Sequence, residues 1–403
     1  MSAGNKSRSY AGAKRKVLML ASVASMIDQF NLPNLRLMQE MEYEVHVACN
    51  FKQGNTCDDI QILRLKKKLH MMHMIWHQWD CPRSLSSVAC IRAYCQLWKL
   101  TGQYCFAWMH CQSPVGGALA RIVAHQRGIR VLYTVHGFHF YKGASRKNWV
   151  LYYPVEKFLA NWTDILVTVN KEDYRIARQQ FSAGCICRIP GVGVDTSKYV
   201  PKCGETSKER KNLCKRFHIP DDASVILSVG ELNKGKNHKL VIKALADLDR
   251  TDVCYLICGQ GIWKKKLQKY ARRLGVGSLV RMPGYQKDMQ WIYKNADLFV
   301  FPSMREGMPV ALMEAMASGL PCLVSDIRGN KELITDVSLR FSPDRSDELR
   351  DALEKMLSGS ACMDSCRKQN VDKISEYSQK VVQEKMRRIY EKMEFKCGKV
   401  GAK

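Results

Sequence analysis

The chain has 403 residues, of which 46% are hydrophobic and 25% charged, and a formal net charge of +26. That length suits two domains, each with a core of its own, and no run of about eighteen apolar residues offers a membrane-spanning helix. The excess of Lys and Arg would suit nucleic acid, anionic lipid or phosphorylated substrates, but it is spread over 6–16, 64–68, 264–273 and the C-terminal tail, with no paired Cys/His zinc spacing and no aromatic RNA-binding strand, so nucleic acid is not an expected partner.

Residues 1–15 read as a flexible basic start. Lys6, Arg8, Lys14, Arg15 and Lys16 ahead of the apolar stretch 17–24 imitate a secretory signal. That stretch is short and a helix-like segment follows at once, so a first strand is the better reading. Strands are expected at 16–21, 44–49, 104–109, 131–135, 165–169 and 185–189, and helices at 30–41, 85–100, 115–127, 148–160 and 171–181. Strand and helix in turn imply a parallel sheet with right-handed crossovers, an α/β domain over 16–190. Glycine and turn residues make 191–202 a linker. A second alternating series fills 203–365, with strands at 224–229, 253–258, 280–282, 298–301 and 322–325 and helices at 237–248, 262–274, 286–295 and 309–318. Val371, Ile374, Val381, Val382, Met386, Ile389 and Met393 recur at helical spacing, so 366–403 reads as a C-terminal helix and a basic tail. The 17 cysteines are odd in number, and Cys49, Cys254, Cys258 and Cys322 lie in apolar strand-like runs, which suits buried thiols in a reducing cytosol better than a disulfide framework. Cys185 and Cys187 fit alternation along a strand.

The most informative segment is 299–326, FVFPSMREGMPVALMEAMASGLPCLVSD. It reads as a buried strand, a loop, a helix, a Gly-Leu-Pro break and a second buried strand. Glu306 precedes Gly307 in the loop, where backbone can approach a ligand closely, and Met308, Pro309 and Val310 lead into a helix that carries Glu314. Loops at the carboxyl ends of parallel strands are where open α/β sheets bind ligands, and a helix N-terminus there favours anions. Glu306 and Glu314, seven residues between them, together with Pro302-Ser303, Glu306-Gly307, Glu314-Ala315-Met316-Ala317 and Gly319-Leu320-Pro321, resemble the signature of the retaining glycosyltransferases of family 4. The resemblance implies the GT-B fold: two Rossmann-like domains with parallel sheets facing across a cleft, and a C-terminal helix crossing back onto the first domain.

The resemblance also assigns roles. Glu306 would hold the donor sugar and Glu314 the ribose hydroxyls. In 228–238, SVGELNKGKNH, Lys236 matches the family lysine that binds the donor diphosphate after a turn at Gly230, but Glu231 stands where an arginine is common. Gly259 and Gly261 match a glycine turn of the donor domain, and Tyr285, after Pro283-Gly284, could present backbone to the nucleotide base. His136, before Gly137 at a strand end, resembles the histidine that contacts the donor sugar near the reacting carbon. His136, Lys236 and Glu306 are thus the catalytic candidates. On the acceptor side the candidates are Asp28 in the loop after the first strand, His110 with Gly116 and Gly117 at another strand end, and His139. His70, His73 and His77 would share a face only in a helix, and the resemblance implies no metal and no cofactor beyond the nucleotide-sugar substrate.

The expected activity is transfer of a sugar from a nucleotide-sugar, a UDP-sugar by preference, to a hydroxyl of a lipid-linked or oligosaccharide acceptor in capsule or exopolysaccharide synthesis. The expected place is the cytoplasm, against the anionic inner face of the plasma membrane. A GT-B epimerase acting on a nucleotide-sugar, and a non-catalytic protein that binds nucleic acid or a membrane surface, are the alternatives.

Overall fold

A computed structural model describes residues 14–53, 58–83, 87–201 and 207–397. Of the expected basic start only Lys14 and Arg15 fall among them, and Lys202 and the end of the basic tail lie outside. Two compact units emerge. The first holds the described residues up to Thr168, Asp173–Arg188 and the chain from Gln383; the second holds Val169–Glu172 and Ile189–Val382.

The first unit is built on β1 (Lys16–Val23), β2 (Glu44–Asn50), β3 (Ile75–Gln78), β4 (Phe106–Cys111), β5 (Arg130–Val135), β6 (Ile165–Thr168) and β7 (Ile186–Arg188). They form one sheet in the order β3-β2-β1-β4-β5-β6-β7, parallel at every pairing. The run VLMLAS in β1 is buried throughout, as a strand covered on both faces requires. The second unit repeats the plan with β8 (Ser224–Val229), β9 (Val253–Cys258), β10 (Val280–Gly284), β11 (Leu298–Phe301), β12 (Cys322–Ser325) and β13 (Arg340–Phe341), in the order β10-β9-β8-β11-β12-β13. Strand order reverses between β1 and β4 in the first sheet and between β8 and β11 in the second, and the loops that leave those strands flank each switch point, where such sheets bind ligands.

Several elements differ from the sequence reading. β3, β13 and the helices Asp59–Met71, Ser207–Phe217, Arg328–Leu333 and Ser346–Ser358 were not expected. The stretch 191–201, expected as a linker, makes its bonds inside the second unit: Val194 bridges to Ser378, and the Tyr199 hydroxyl bonds Glu314. The periodic stretch 371–393 is two helices, Ser360–Ile374 and Gln379–Cys397, parted by a tight turn at Ser375–Tyr377. The break has a cause. Val194 N–H donates to the Tyr377 carbonyl and Gln379 N–H to the Val194 carbonyl, drawing that backbone out of helical pairing, while the Tyr377 ring is buried. From Gln383 the last helix packs into the first unit. Tyr390 stacks on Trp108 with ring centroids 5.2 Å apart, and Glu394 accepts from the Tyr43 hydroxyl at 2.5 Å.

In the second unit, the loops after β8 and β9 touch backbone to backbone. Gly230 N–H donates to the Cys258 carbonyl, Leu232 N–H to Gln260 and Trp263 N–H to Leu232. A Cβ on Gly259 would lie 1.9 Å from the Gly230 carbonyl oxygen, and one on Gly261 2.3 Å from that of Leu232. These glycines therefore serve loop-to-loop contact. Gly259→Ala is expected to lower unfolding free energy by about 1–3 kcal/mol, the usual cost of overpacking. Urea melts check it, with Gly275→Ala, where a Cβ meets nothing within 4 Å, as the comparison that carries only the backbone cost of its left-handed φ.

Candidate functional site

The second switch point brings Lys236 and Glu306 together. Lys236 leaves β8 on a turn in which its own N–H donates to Asn233 Oδ1 at 3.0 Å, and Asn237, in the left-handed region at φ 55°, bonds the Pro343 carbonyl at 2.7 Å. Glu306 leaves β11, and the two loops are joined directly by Met304 N–H to the Gly235 carbonyl at 2.8 Å. Across that joint Lys236 Nζ meets Glu306 Oε1 at 2.7 Å. A third loop locks in behind. Arg328 Nε donates to the Glu306 carbonyl at 3.1 Å, and a Cβ on Gly329 would lie 2.7 Å from the Gly307 carbonyl oxygen. Ser228, Tyr255 and His238 tie the strands beneath: His238 Nδ1 pairs with the Tyr255 hydroxyl at 3.0 Å, which donates to Ser228 Oγ at 2.9 Å.

Pro309 caps the helix Val310–Ala317, which holds Glu314. Its Oε1 accepts from the Tyr199 hydroxyl at 2.8 Å and its Oε2 from the Tyr293 hydroxyl at 3.1 Å. Burial pushes the carboxyl up from its ordinary value, and the two hydroxyls oppose that shift. Each oxygen keeps a lone pair for a further donor, so the tyrosines orient the carboxylate without exhausting it. Tyr199 and Tyr293 escaped the sequence reading, since nothing local marks a tyrosine 115 residues from its partner. Met308 packs toward Gly191. Gly284 has φ +88°, a left-handed turn that glycine suits; its carbonyl accepts from Gly259 N–H, and the next residue, Tyr285, is half exposed. Glu231 is exposed.

The first unit has a pocket of its own, ≈ 160 Å³, lined by Met26, Gln112, Tyr133, His136, His139, Tyr152 and Glu156 among others. Gln112 Nε2 donates to Asn31 Oδ1, which leaves its Oε1 as the acceptor for His136 Nε2–H at 2.9 Å. Burial lowers the His136 pKa to about 4, so the ring is neutral near pH 7. His139 stacks on Tyr152, centroids 4.4 Å apart. Glu156 accepts from Arg121 Nη2 at 2.8 Å and from the Tyr133 hydroxyl at 3.0 Å; the lone Arg121 and Glu156 on otherwise apolar helix faces were the sequence signal of this pair.

Two acceptor-side expectations are corrected. His110 is fully buried, bonded through Nδ1 to the Tyr390 hydroxyl at 3.0 Å and through Nε2 to Thr134 Oγ1 at 2.8 Å, and has no face left for an acceptor. Gly116 and Gly117 admit protein. A Cβ on Gly116 would meet Ser113 Oγ at 2.6 Å and one on Gly117 the Tyr133 ring at 2.6 Å. Asp28 is half-buried in the helical turn Ile27–Asn31, its carboxyl raised by burial against the opposing charge of Lys68; it stays an acceptor-side candidate beside Met26, which lines the pocket. The three histidines 70, 73 and 77 fall on a helix, a left-handed turn and β3, where His77 stacks on His46.

Comparison with known proteins gives a consistent picture. Residues 209–380 match the family described as Glycosyl transferases group 1, and residues 34–190 the Glycosyl transferase 4-like domain. A Bacillus subtilis protein named as glycosyltransferase EpsD is 35% identical over 330 residues, covering 80% of this chain and 81% of its own. The Escherichia coli UDP-Gal:alpha-D-GlcNAc-diphosphoundecaprenol alpha-1,3-galactosyltransferase is 31% identical over 261 residues, 62% of this chain and 66% of its own. Among solved structures, Anabaena HepE in complex with UDP and glucose superposes with a TM-score of 0.76 at 16% identity, covering 94% of this chain and all of that one. Sucrose-phosphate synthase from Thermosynechococcus elongatus gives 0.77 at 15%, covering 94% and 99%. These two share the fold.

The buried histidines set a pH dependence. Burial holds His136 near 4 and both His110 and His238 near 3, against an ordinary value of 6.5. Between about pH 6.5 and 4 the unfolded chain takes up protons that the native chain refuses, so stability falls on acidification through that window. Urea melts from pH 7.5 to 4.5 are expected to follow this slope. The His136 ring nitrogens should keep neutral chemical shifts from pH 8 to 5.5, and a midpoint near 6.5 would mean that the ring is solvated.

Proposed function

The chain belongs to the family 4 glycosyltransferases, and on that premise we propose that it moves a sugar from a UDP-sugar to a hydroxyl of a lipid-linked glycan, with retention at the anomeric carbon. The observation that carries this reading is the 2.7 Å pair of Lys236 and Glu306 at the switch point of the second sheet. A neutral pair on two interlocked loops is a prepared electrostatic site. When a nucleotide diphosphate enters, the ammonium turns to the phosphate oxygens and offsets the charge that grows as the diphosphate leaves, and the carboxylate is released to hold sugar hydroxyls. Glu314, steadied by its two tyrosines, takes the ribose. Glu231 brings no cation where the family commonly has arginine; Arg328, anchored on the Glu306 carbonyl, brings a guanidinium to the same loop. Gly230, Gly259 and Gly261 fix the backbone of that floor, and Gly307, Met308, Pro309 and Val310 lead the donor to the helix.

In the first unit the pocket beside His139 takes the reacting end of the acceptor, and His136, which the resemblance assigns to the donor sugar, offers a neutral ring in the same pocket as donor or acceptor of hydrogen bonds. The acceptor class follows the named activity of the E. coli relative, whose substrate is a diphosphoundecaprenol-linked sugar. The excess of Lys and Arg favours contact with such an acceptor at the anionic cytoplasmic face of the membrane; among the described residues no helix is long and apolar enough to cross it.

Glu314→Ala should cost about 1.5–3 kcal/mol of affinity for free UDP, the worth of a charge-assisted hydrogen bond, in a variant whose melting curve shows it folded. Calorimetric titration reads this directly, and unchanged affinity removes Glu314 from the ribose. Lys236→Ala should lower kcat far more than it raises KM, because its charge matters most as the diphosphate departs. A rise in KM at normal kcat would restrict the lysine to ground-state binding. Sugar appearing on an added lipid-linked acceptor supports transfer; interconversion of the nucleotide-sugar with no acceptor present would mark an epimerase instead.

A further inference from the structure

The helix Arg146–Ala160 is amphipathic in an unusual sense. Its inner face is what a soluble helix should bury: Leu159 and Ala160 are sealed, Tyr153 packs on Phe140 at 5.4 Å, and Tyr152 and Glu156 line the pocket. Its outer face is not the polar one expected of a surface helix. Val150 is 77% exposed, Leu151 52%, Val155 49% and Phe158 57%. At about 100° per residue these four fall within an arc of about 140°. The exposed Arg146, Lys147 and Lys157 lie within or beside the same arc, and Lys142 is exposed just before the helix. The one acid between 142 and 158 is Glu156, turned inward and paired with Arg121.

We propose that this face docks on an anionic phospholipid surface, the helix lying in the interface with its apolar side chains among the acyl chains and its cations at the headgroups. Charge selects this occupant. A second copy of the same face would set Lys147 and Lys157 against like charges, whereas an anionic bilayer satisfies both the apolar and the cationic components. The geometry also has a use. Tyr152 and Glu156 are on the reverse of the docking face, so the pocket would stand about one helix diameter, roughly 10 Å, from the lipid. A lipid-linked acceptor could then enter it without leaving the membrane, a benefit that rests on the acceptor reading above, though docking itself requires neither donor nor acceptor.

The experiment is flotation of the full chain with phosphatidylglycerol-rich and with pure phosphatidylcholine vesicles, at low and high salt, without substrate. Wild type should float with the first at low salt and not with the second. The combined variant Val150→Gln, Leu151→Gln and Phe158→Gln should float on the order of tenfold less, and Lys147→Gln with Lys157→Gln should weaken binding and flatten its salt dependence. Both must keep the wild-type melting curve and affinity for UDP. Undiminished flotation of the apolar variant would overturn the proposal while leaving membrane association through other basic stretches intact. So would wild type that ignores anionic vesicles, or a dimer in sedimentation that the apolar variant abolishes, since the face would then be a protein interface. Loss of UDP binding by wild type with docking unimpaired would sink the donor reading and spare this one.

Discussion

In the second unit the loops after β8 and β9 approach so closely that the Gly230 carbonyl oxygen occupies the space where a side chain on Gly259 would begin. Everything at the proposed donor site depends on that approach. It pins the first residues of the turn that ends in Lys236, and the Met304–Gly235 bond then fixes the Glu306 loop against the same turn. The 2.7 Å ion pair joins side chains on loops that backbone hydrogen bonds tie to one another. Two flexible side chains on mobile loops would contribute little; on a floor this rigid their meeting point is set before any substrate arrives, which is the condition for electrostatic preorganisation.

The two units solve different problems with the same sheet. The second gathers formal charge at its switch point, Lys236 against Glu306, and orients a further carboxylate with neutral hydroxyls. The first contains a pocket walled by aromatic rings and by the neutral imidazole of His136, its one carboxylate already satisfied by Arg121 and Tyr133. A site of the former kind suits a diphosphate, whose charge must be met. One of the latter kind suits a hydroxyl on a ring, which is recognised by shape and by hydrogen bonds.

Legibility followed the range of the forces involved. β8, β9, β11 and β12 stood out in the sequence because a strand covered on both faces is a continuous apolar run, Glu306 and Glu314 because their spacing is local, and Lys236 because of the turn segment 228–238 around it. β3 and β13 are short edge strands with little apolar signature. The helix Asp59–Met71 hid behind Arg64 and Lys66 to Lys68, although Asp58 and Gln61 form the capping box that announces it. The turn at Ser375–Tyr377 is imposed by Val194, far away in the chain, and no periodicity could reveal it. Gly116 and Gly117 were misread for a similar reason. A glycine at a strand end says that something comes close, and only the fold says that it is Tyr133 and Ser113 rather than a ligand.

The last helix has a consequence for how the molecule comes into being. Trp108 and His110 lie in β4, central to the first sheet, and from His110 their partner Tyr390 is 280 residues away. Tyr43 and Arg130 likewise wait for Glu394 and Met393. A ribosome delivering this sequence finishes the second unit at Val382 while the first still lacks the helix that seals it. The unit translated first is thus the last to be completed, and until Tyr390 and Glu394 emerge it carries an indole, an imidazole and a phenol without their native cover.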